Sequence, residues 1–418
     1  MKIVLYSTLF FKRKRVDKMI KKVNKGKNAG KWKVRIQPVD KITGKRISFP
    51  LQYADSKKEA VKLERQLWAE YENGLNLSDG NAVFADEFQK YVNNRAKTIS
   101  AVTLKAWQDS ANDFKAYFKN SKINQITTAL VSKYAHDYVD KQNATVSKSS
   151  TIAKRLIHMR NYFKTLEGKT IKENPVPEGA LKLFFKQSDF SVPQEWYIIS
   201  SSELEKIRNL IIEDLNHSSV MNWGSKLAIL VESYTGMRVG ELQALKFSNI
   251  VFEDSVWTFR INNSWSDYTR SFTGSLKARP KGYSRTLLPI PEEVIILLKR
   301  YKDKQSSFLK GHDLDNPLDL VFMNLHDYKS ASNEEPLKQK SINDMFKNIC
   351  DRLGIKSGDK QLSMYSFRHT ICTNLANTPG MSYPWAAEKM GHSLQMFMNT
   401  YVGVDPDMNQ QMNKLWVS

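Results

Sequence analysis

The chain has 418 residues, 41% hydrophobic and 26% charged, the balance of a soluble globular protein. No stretch reaches the roughly 18 apolar residues that a membrane-spanning helix needs, and the length suggests two to four domains at roughly 100–200 residues each. Lys and Arg number 64 against 43 Asp and Glu, for a net charge of +21. Sixteen of those cations, against two acids, fall in the first fifty residues. Such an arm points to a polyanionic partner. The only two cysteines, Cys350 and Cys372, have no CxxC partners. They exclude a disulfide scaffold and favour a reducing, cytoplasmic compartment.

Residues 1–28 read as a basic flexible arm. Met1–Phe11 begins like a signal peptide but runs into Lys12-Arg13-Lys14-Arg15 with no small-residue cleavage site, so secretion is not expected. A small sheet-plus-helix module follows over 29–77. Trp32, Val34 and Ile36 alternate with Lys33, Arg35 and Gln37, the period of a strand. Asp40–Gly44 supplies a turn, and Lys45–Leu51 a returning strand closed by Pro50. A helix opens at Asp55, carries Ala60, Leu63, Leu67 and Tyr71 on its apolar face, and ends at Gly74. Lys31, Lys33, Arg35, Lys45 and Arg46 are the outward cations that suit a sheet laid into a DNA groove.

Residues 78–187 read as wholly helical, with segments at Phe84–Arg95, Leu104–Phe118, Leu130–Val139 and Ser149–Leu166. Lys154, Arg155 and Arg160 on the last are candidates for DNA backbone contact, a solvated face being the alternative. Residues 188–195 read as a linker to a third region, 196–418. There Ser202-Glu-Leu-Glu205 is a capping box for a helix over Glu203–Leu215. A second helix spans about 222–235, Val251–Asn262 and Arg285–Ile290 are strands, and the rest is mainly helical. The expected class is mainly α with small β-sheets (α+β).

Four features of the third region carry chemistry together. Thr235-Gly-Met-Arg238-Val-Gly-Glu241 puts an Arg just after a helix-breaking Gly, with Glu241 one turn on to hold its fork. Ser275-Leu-Lys277-Ala-Arg-Pro-Lys281-Gly-Tyr-Ser-Arg285 is a basic hairpin tip leading into a strand. Met364-Tyr365-Ser-Phe-Arg368-His369 places an Arg inside a helix. Gly391-His392-Ser precedes Tyr401 by nine residues from the His. Each alone has an ordinary reading as salt bridge, cap or packing; the ordered set does not arise readily by chance.

That set resembles the tyrosine recombinase (phage integrase) family, whose catalytic residues are Arg, Lys, His-x-x-Arg, His or Trp, and a nucleophilic Tyr. Arg238 and Arg368 match the two arginines, His392 the second His, and Tyr401 the nucleophile, over about residues 196–404. The resemblance implies a mixed, mostly helical catalytic domain over 196–418. It also implies an arm-type DNA-binding domain at 29–77 and an all-α core-type domain at 78–187. Two departures stand out. Tyr365 occupies the position of the first family His, and a phenol is a poor base near neutral pH. The family Lys is Lys277 as first choice and Lys281 as second, with Arg279 at the usual spacing from Arg285. His369, next to Arg368, is expected to pack or at most to touch a phosphate.

The chemistry agrees with the set. A phosphodiester attacked by a tyrosine oxygen builds charge that two Arg side chains can clamp without a metal. The leaving 5′ oxygen needs a proton, and a Lys can supply it. The 3′-phosphotyrosine keeps the bond energy, so rejoining needs no ATP. The sequence has no phosphate-cradling GxxxxGK[ST] loop and no two-metal carboxylate set, and no cofactor is expected. The resemblance further implies double-stranded DNA with arm-type and core-type sites, a homotetramer on DNA, and help from a DNA-bending protein and a directionality factor. Alternatives are an inactive DNA-binding relative and a type IB topoisomerase. Met408, Met412, Leu415 and Trp416 give the tail, 403–418, an apolar stripe to pack on its own domain or on a neighbour.

Overall fold

A computed structural model describes residues 19–39, 46, 49–72, 79–403, 413–414 and 416–417. The chain divides into two compact units: residues up to 192 without 100–102, and residues from 193 with 100–102. The class is mixed, mostly helical, with small antiparallel sheets.

The first unit opens with the antiparallel sheet β1 (Ile20–Lys22), β2 (Trp32–Val34) and β3 (Gln52–Ala54), in that spatial order. Helix α1 (Lys57–Glu72) covers it, and Val34, Ile36, Phe49 and Ala54 bury against Ala60 and Leu67. The register sets Lys21, Lys33 and Tyr53 side by side on exposed positions. Two expectations change. Ile20–Lys22, assigned to the flexible arm, is a strand, because its residues pair with β2. The strand that pairs with β2 itself is β3, after Pro50, while ahead of that proline Phe49 N–H donates to the Ile36 carbonyl at 3.4 Å. Exposed Arg46 bridges Val39, while residues 40–45, with Lys45, and Gly74 lie outside the described residues.

Five helices follow: α2 (Phe84–Arg95), α3 (Ala101–Phe118), α4 (Thr128–Gln142), α5 (Thr151–Leu166) and α6 (Ala180–Phe184). Thr127 and Ser150 cap α4 and α5 through their hydroxyls, which accept from Leu130 and Ala153 N–H. The core is aromatic. Phe84 stands within 5.2–5.9 Å, ring to ring, of Phe88, Phe114, Phe118, Tyr162 and Phe163.

The second unit begins with α7 (Ser201–Leu215) and α8 (Val220–Thr235). Its cap is Ser200 with Glu203, two residues ahead of the expected box, since the Ser200 hydroxyl reaches the Glu203 N–H. Helix α8 is buried almost all round and packs against α7 and three later helices. Then come α9 (Val239–Gln243), β4 (Ile250–Glu253), β5 (Val256–Ile261), the hairpin β6 (Trp265–Ser266) and β7 (Ser271–Phe272), and β8 (Arg285–Thr286). The single strand expected over 251–262 is a hairpin. Asp254 and Ser255 turn it at φ 48° and 63°, and β8 joins on the far side of β5. Six helices complete the unit: α10 (Glu292–Lys310), α11 (Tyr328–Ser332), α12 (Gln339–Arg352), α13 (Met364–Asn377), α14 (Tyr383–Met390) and α15 (Leu394–Tyr401). No helix among the described residues is long and apolar enough to cross a membrane. In the tail, Trp416 is 90% exposed; Met408, Met412 and Leu415 lie outside the described residues.

Candidate active site

Gly236 ends α8 in the left-handed conformation, and Arg238 then caps α9. From there its Nη1 donates to Glu241 Oε1 at 3.0 Å and its Nη2 to the Gly391 carbonyl at 3.0 Å. Glu241 is fully buried, and its second oxygen accepts from Arg285 Nη2 at 2.8 Å. One carboxylate thus holds two guanidinium groups. Burial raises its pKa, but Arg285, Arg238 and Arg368 outweigh that and hold it below the usual carboxylate range.

Arg368 sits on α13 with no exposed surface. It donates to the carbonyls of Gly236 and Met390 and, at 2.5 Å, to His392 Nε2. Because a guanidinium can only donate, His392 Nε2 is the lone-pair nitrogen and Nδ1 carries the proton. Burial, then the charges of Arg368, Arg238 and Arg285, hold the His392 pKa down to about 3. Gly391 ends α14 at φ 66°, and Ser393 caps α15. A Cβ on Gly391 would lie 2.8 Å from Arg285 Nε, so this turn needs both the free backbone and the missing side chain.

Tyr401 closes α15. Its ring stacks on His392, centroids 5.6 Å apart and 16° from parallel, and touches Phe397 and His369 at 5.5 Å each. The hydroxyl is buried without a well-formed hydrogen bond, with the Cys372 thiol alongside. Burial pushes the phenol pKa up, and Arg368 pulls the other way.

The structure therefore brings Arg238, Glu241, Arg368, His392 and Tyr401 together from three helices and the turns before α9 and α15. Tyr365 reaches the group through His369, its ring 4.9 Å from that imidazole. Lys277 and Lys281 do not join it. Both are exposed on the loop between β7 and β8 and make no hydrogen bond or ion pair among the described residues. Arg279, at the usual spacing, lies over the Tyr283 ring at 5.0 Å.

The cations assigned to DNA divide. Lys33 and Lys154 are exposed, and Lys31 pairs with Asp55 at 3.0 Å on the surface; Arg35 also stands on an exposed position. Arg155 turns inward to Asp113 at 2.7 Å and over the Tyr138 ring. Arg160 donates to the Val176 carbonyl at 2.6 Å.

Sequence reasoning missed two buried charges here. Arg285 was read as part of a strand, although alternation with Leu287 put it on the core face. Glu232 on α8 is wholly buried with neither oxygen partnered, and burial raises its pKa well above normal against the pull of Arg368. Nothing in its local pattern marks it.

A fragment of the Tn1549 transposon integrase, solved with transposon right end DNA, superposes with a TM-score of 0.58 at 16% identity, covering 80% of this chain and all of that one. The XerH recombinase bound to difH gives 0.54 at 15%, covering 87% and 90%. The sequence profile of the Phage integrase family matches residues 199–408, half of the chain, and that of the phage integrase N-terminal SAM-like domain matches 85–169. The chain belongs to the phage integrase family of tyrosine recombinases. Among curated relatives, the transposases of Tn916 from Enterococcus faecalis and of Tn1545 from Streptococcus pneumoniae are each 24% identical over 245 residues. That alignment covers 58% of this chain and 55% of theirs, so the chain matches little more than half the length of these relatives.

Proposed function

We propose that this chain is a site-specific DNA recombinase that cuts and rejoins DNA through a 3′-phosphotyrosine, integrating a phage or mobile element. The observation that carries the reading is the stacking of Tyr401 on His392, which in turn bonds Arg368, beside an Arg238 and an Arg368 fixed by Glu241 and three main-chain carbonyls. The two guanidiniums hold the non-bridging oxygens of the scissile phosphate and take up the charge that builds there. Tyr401 Oη bonds to phosphorus while the P–O5′ bond breaks. Lys277, or Lys281 in its place, protonates the departing oxygen from the exposed loop between β7 and β8. His392, whose Nδ1–H has no partner, gives a further donor to the phosphate. A 5′-hydroxyl from a second strand reverses the step, so the cycle consumes neither ATP nor a metal.

On this reading residues 29–77, with β1 paired to them, bind arm-type sites through the Lys21, Lys33 and Tyr53 face, and residues 78–187 bind core-type sites, with Lys154 toward a backbone. Four copies assemble on two DNA sites in the host cytoplasm, helped by a bending protein and a directionality factor. The transposon origin of the relatives supports a mobile element as cargo. Tyr365 in place of the family His favours one rival, a DNA-binding relative without catalysis. Nicked suicide DNA carrying candidate attachment sites, without metal or ATP, separates the two. The expected outcome is a protein–DNA adduct that Tyr401→Phe abolishes. DNA that binds and is never trapped sinks the proposal.

A further inference from the structure

The Tyr401 hydroxyl must lose its proton to attack phosphorus, and Tyr365, one turn before Arg368, is a phenol and a poor base near neutral pH. Four groups stand around the Tyr401 ring. His392 has its lone pair occupied by Arg368, so it can donate but not accept. The Cys372 thiol is held protonated, burial pushing its pKa up to about 11. Tyr365 is a phenol with the same need as Tyr401 itself. The fourth is His369.

His369 lies on the same face of α13 as Tyr365 and Cys372, four residues after one and three before the other, which turns it to α15. Its ring is 5.5 Å from that of Tyr401, tilted by 57°. Trp196 stacks on its ring at 5.1 Å and 13°, and Tyr365 meets it edge-on at 4.9 Å. Neither imidazole nitrogen has a hydrogen-bond partner among the described residues. We infer that His369 is the base that takes the Tyr401 proton, one helical turn along from the histidine that this chain lacks at Tyr365. The inference rests on the reading of Tyr401 as nucleophile.

The step balances. As the Oη–P bond forms, the Oη–H bond breaks and its proton moves to a ring nitrogen of His369. The electron pair of the P–O5′ bond leaves on the 5′ oxygen, protonated from the loop lysine. The charged and titratable groups around His369 are Arg368, Tyr365, Cys372, Tyr401 and His392. Burial and then Arg368 hold its pKa down to about 4, so the lone pair is free at neutral pH. A phosphate seated between Arg238 and Arg368 offsets the cationic repulsion and raises the basicity when the base is needed.

The test is single-turnover adduct formation on suicide DNA by the full chain, His369→Gln and His369→Ala, with DNA binding measured alongside. A second substrate carries sulfur at the bridging 5′ position, so that the leaving thiolate needs no proton. His369→Gln should bind DNA as the parent does and form adduct about 100-fold more slowly, the usual worth of a positioned base. The sulfur substrate should leave that defect unchanged while erasing the defect of Lys277→Ala or Lys281→Ala, and added imidazole should restore part of the His369→Ala rate. A His369→Gln rate close to that of the parent overturns the inference, as does recovery on the sulfur substrate, which would put His369 on the leaving oxygen. If His369→Gln fails to bind, failure of imidazole to restore His369→Ala overturns it. A parent that forms no adduct lost on Tyr401→Phe fails at the earlier step, and the nucleophile itself is then misassigned.

Discussion

The α2–α5 core and the shell around Tyr401 are both tightly buried, but they are built from opposite materials. Around Phe84 the buried groups are mostly aromatic, and most of the few polar ones are paired: the Tyr134 hydroxyl donates to Asp113, and Ser110 Oγ lies 2.8 Å from His158 Nδ1, while Arg95 and Arg155 leave only their Nε atoms unpartnered. Around Tyr401 the buried set includes Arg285, Arg368, Glu232, Glu241 and His392, and several of their atoms have no partner: Arg368 Nε, His392 Nδ1, both Glu232 oxygens and Tyr401 Oη. Burying polar atoms without partners costs about 1–3 kcal/mol each. The first region spends its burial on stability. The second holds donors ready for a charge that arrives only with substrate, a preorganisation that stability alone would not select.

The two should therefore fail differently. Phe84→Ala removes the ring at the centre of the aromatic cluster and should destabilise the first unit by about 3–5 kcal/mol. The chemical step of bound protein should be unchanged. Glu241→Ala leaves Arg238 and Arg285 without their shared carboxylate, at a comparable cost of about 3–5 kcal/mol, and it also releases the Arg238 fork. Adduct formation should fall on the order of 100-fold or more. Hydrogen exchange read separately at α3 and α8 amides assigns each loss to its unit. Equal slowing of chemistry by both variants would break the comparison.

A smaller effect tests whether the unpaired charge is a cost. Glu232→Met replaces a buried, unpartnered carboxyl by an apolar chain of similar size and should stabilise the second unit by about 1–3 kcal/mol at pH 7. The sign with pH follows from the raised pKa. The folded state keeps the Glu232 proton after the unfolded chain has lost it. The parent is then penalised increasingly as pH rises above the unfolded value of about 4.5, and below it the advantage of Glu232→Met should shrink to the cost of a neutral, unpartnered carboxyl. Urea titrations at pH 4 and pH 7 measure the difference. A loss of stability at pH 7 would mean that Glu232 is ionised and compensates Arg368.

These residues also mark what the sequence could reveal. Arg238, Arg368, His392 and Tyr401 could be named from the sequence because their ordered set resembles the tyrosine recombinase family, and the turns beside Arg238 and His392 are set by local chemistry such as Gly236, Gly391 and Ser393. The helices of the first unit were legible from apolar spacing. Glu232 and the approach of His369 to Tyr401 were not, because they depend on which face of α8 or α13 meets another element far along the chain. The β1 strand escaped for the same reason: Ile20–Lys22 has no pattern of its own and is a strand only because β2 pairs with it.

The smallest effect separates cations that face outward from cations that hold the fold. Lys33 and Arg155 both looked like DNA contacts in sequence, yet one is exposed on the sheet and the other pairs inside the helical module. A phosphate contact releases counterions, so losing one should lower the slope of log K against log salt by about 0.9. Lys33→Ala on DNA carrying arm sites should therefore lose about one unit of slope with no change in unfolding. Arg155→Ala should leave the slope where it was. It should instead weaken the first unit, because Asp113 loses the guanidinium that offsets its charge beside the Tyr134 hydroxyl. If the Arg155 variant flattens the salt dependence as Lys33→Ala does, this Arg leaves Asp113 when DNA arrives, and its pairing in the free protein is a resting position.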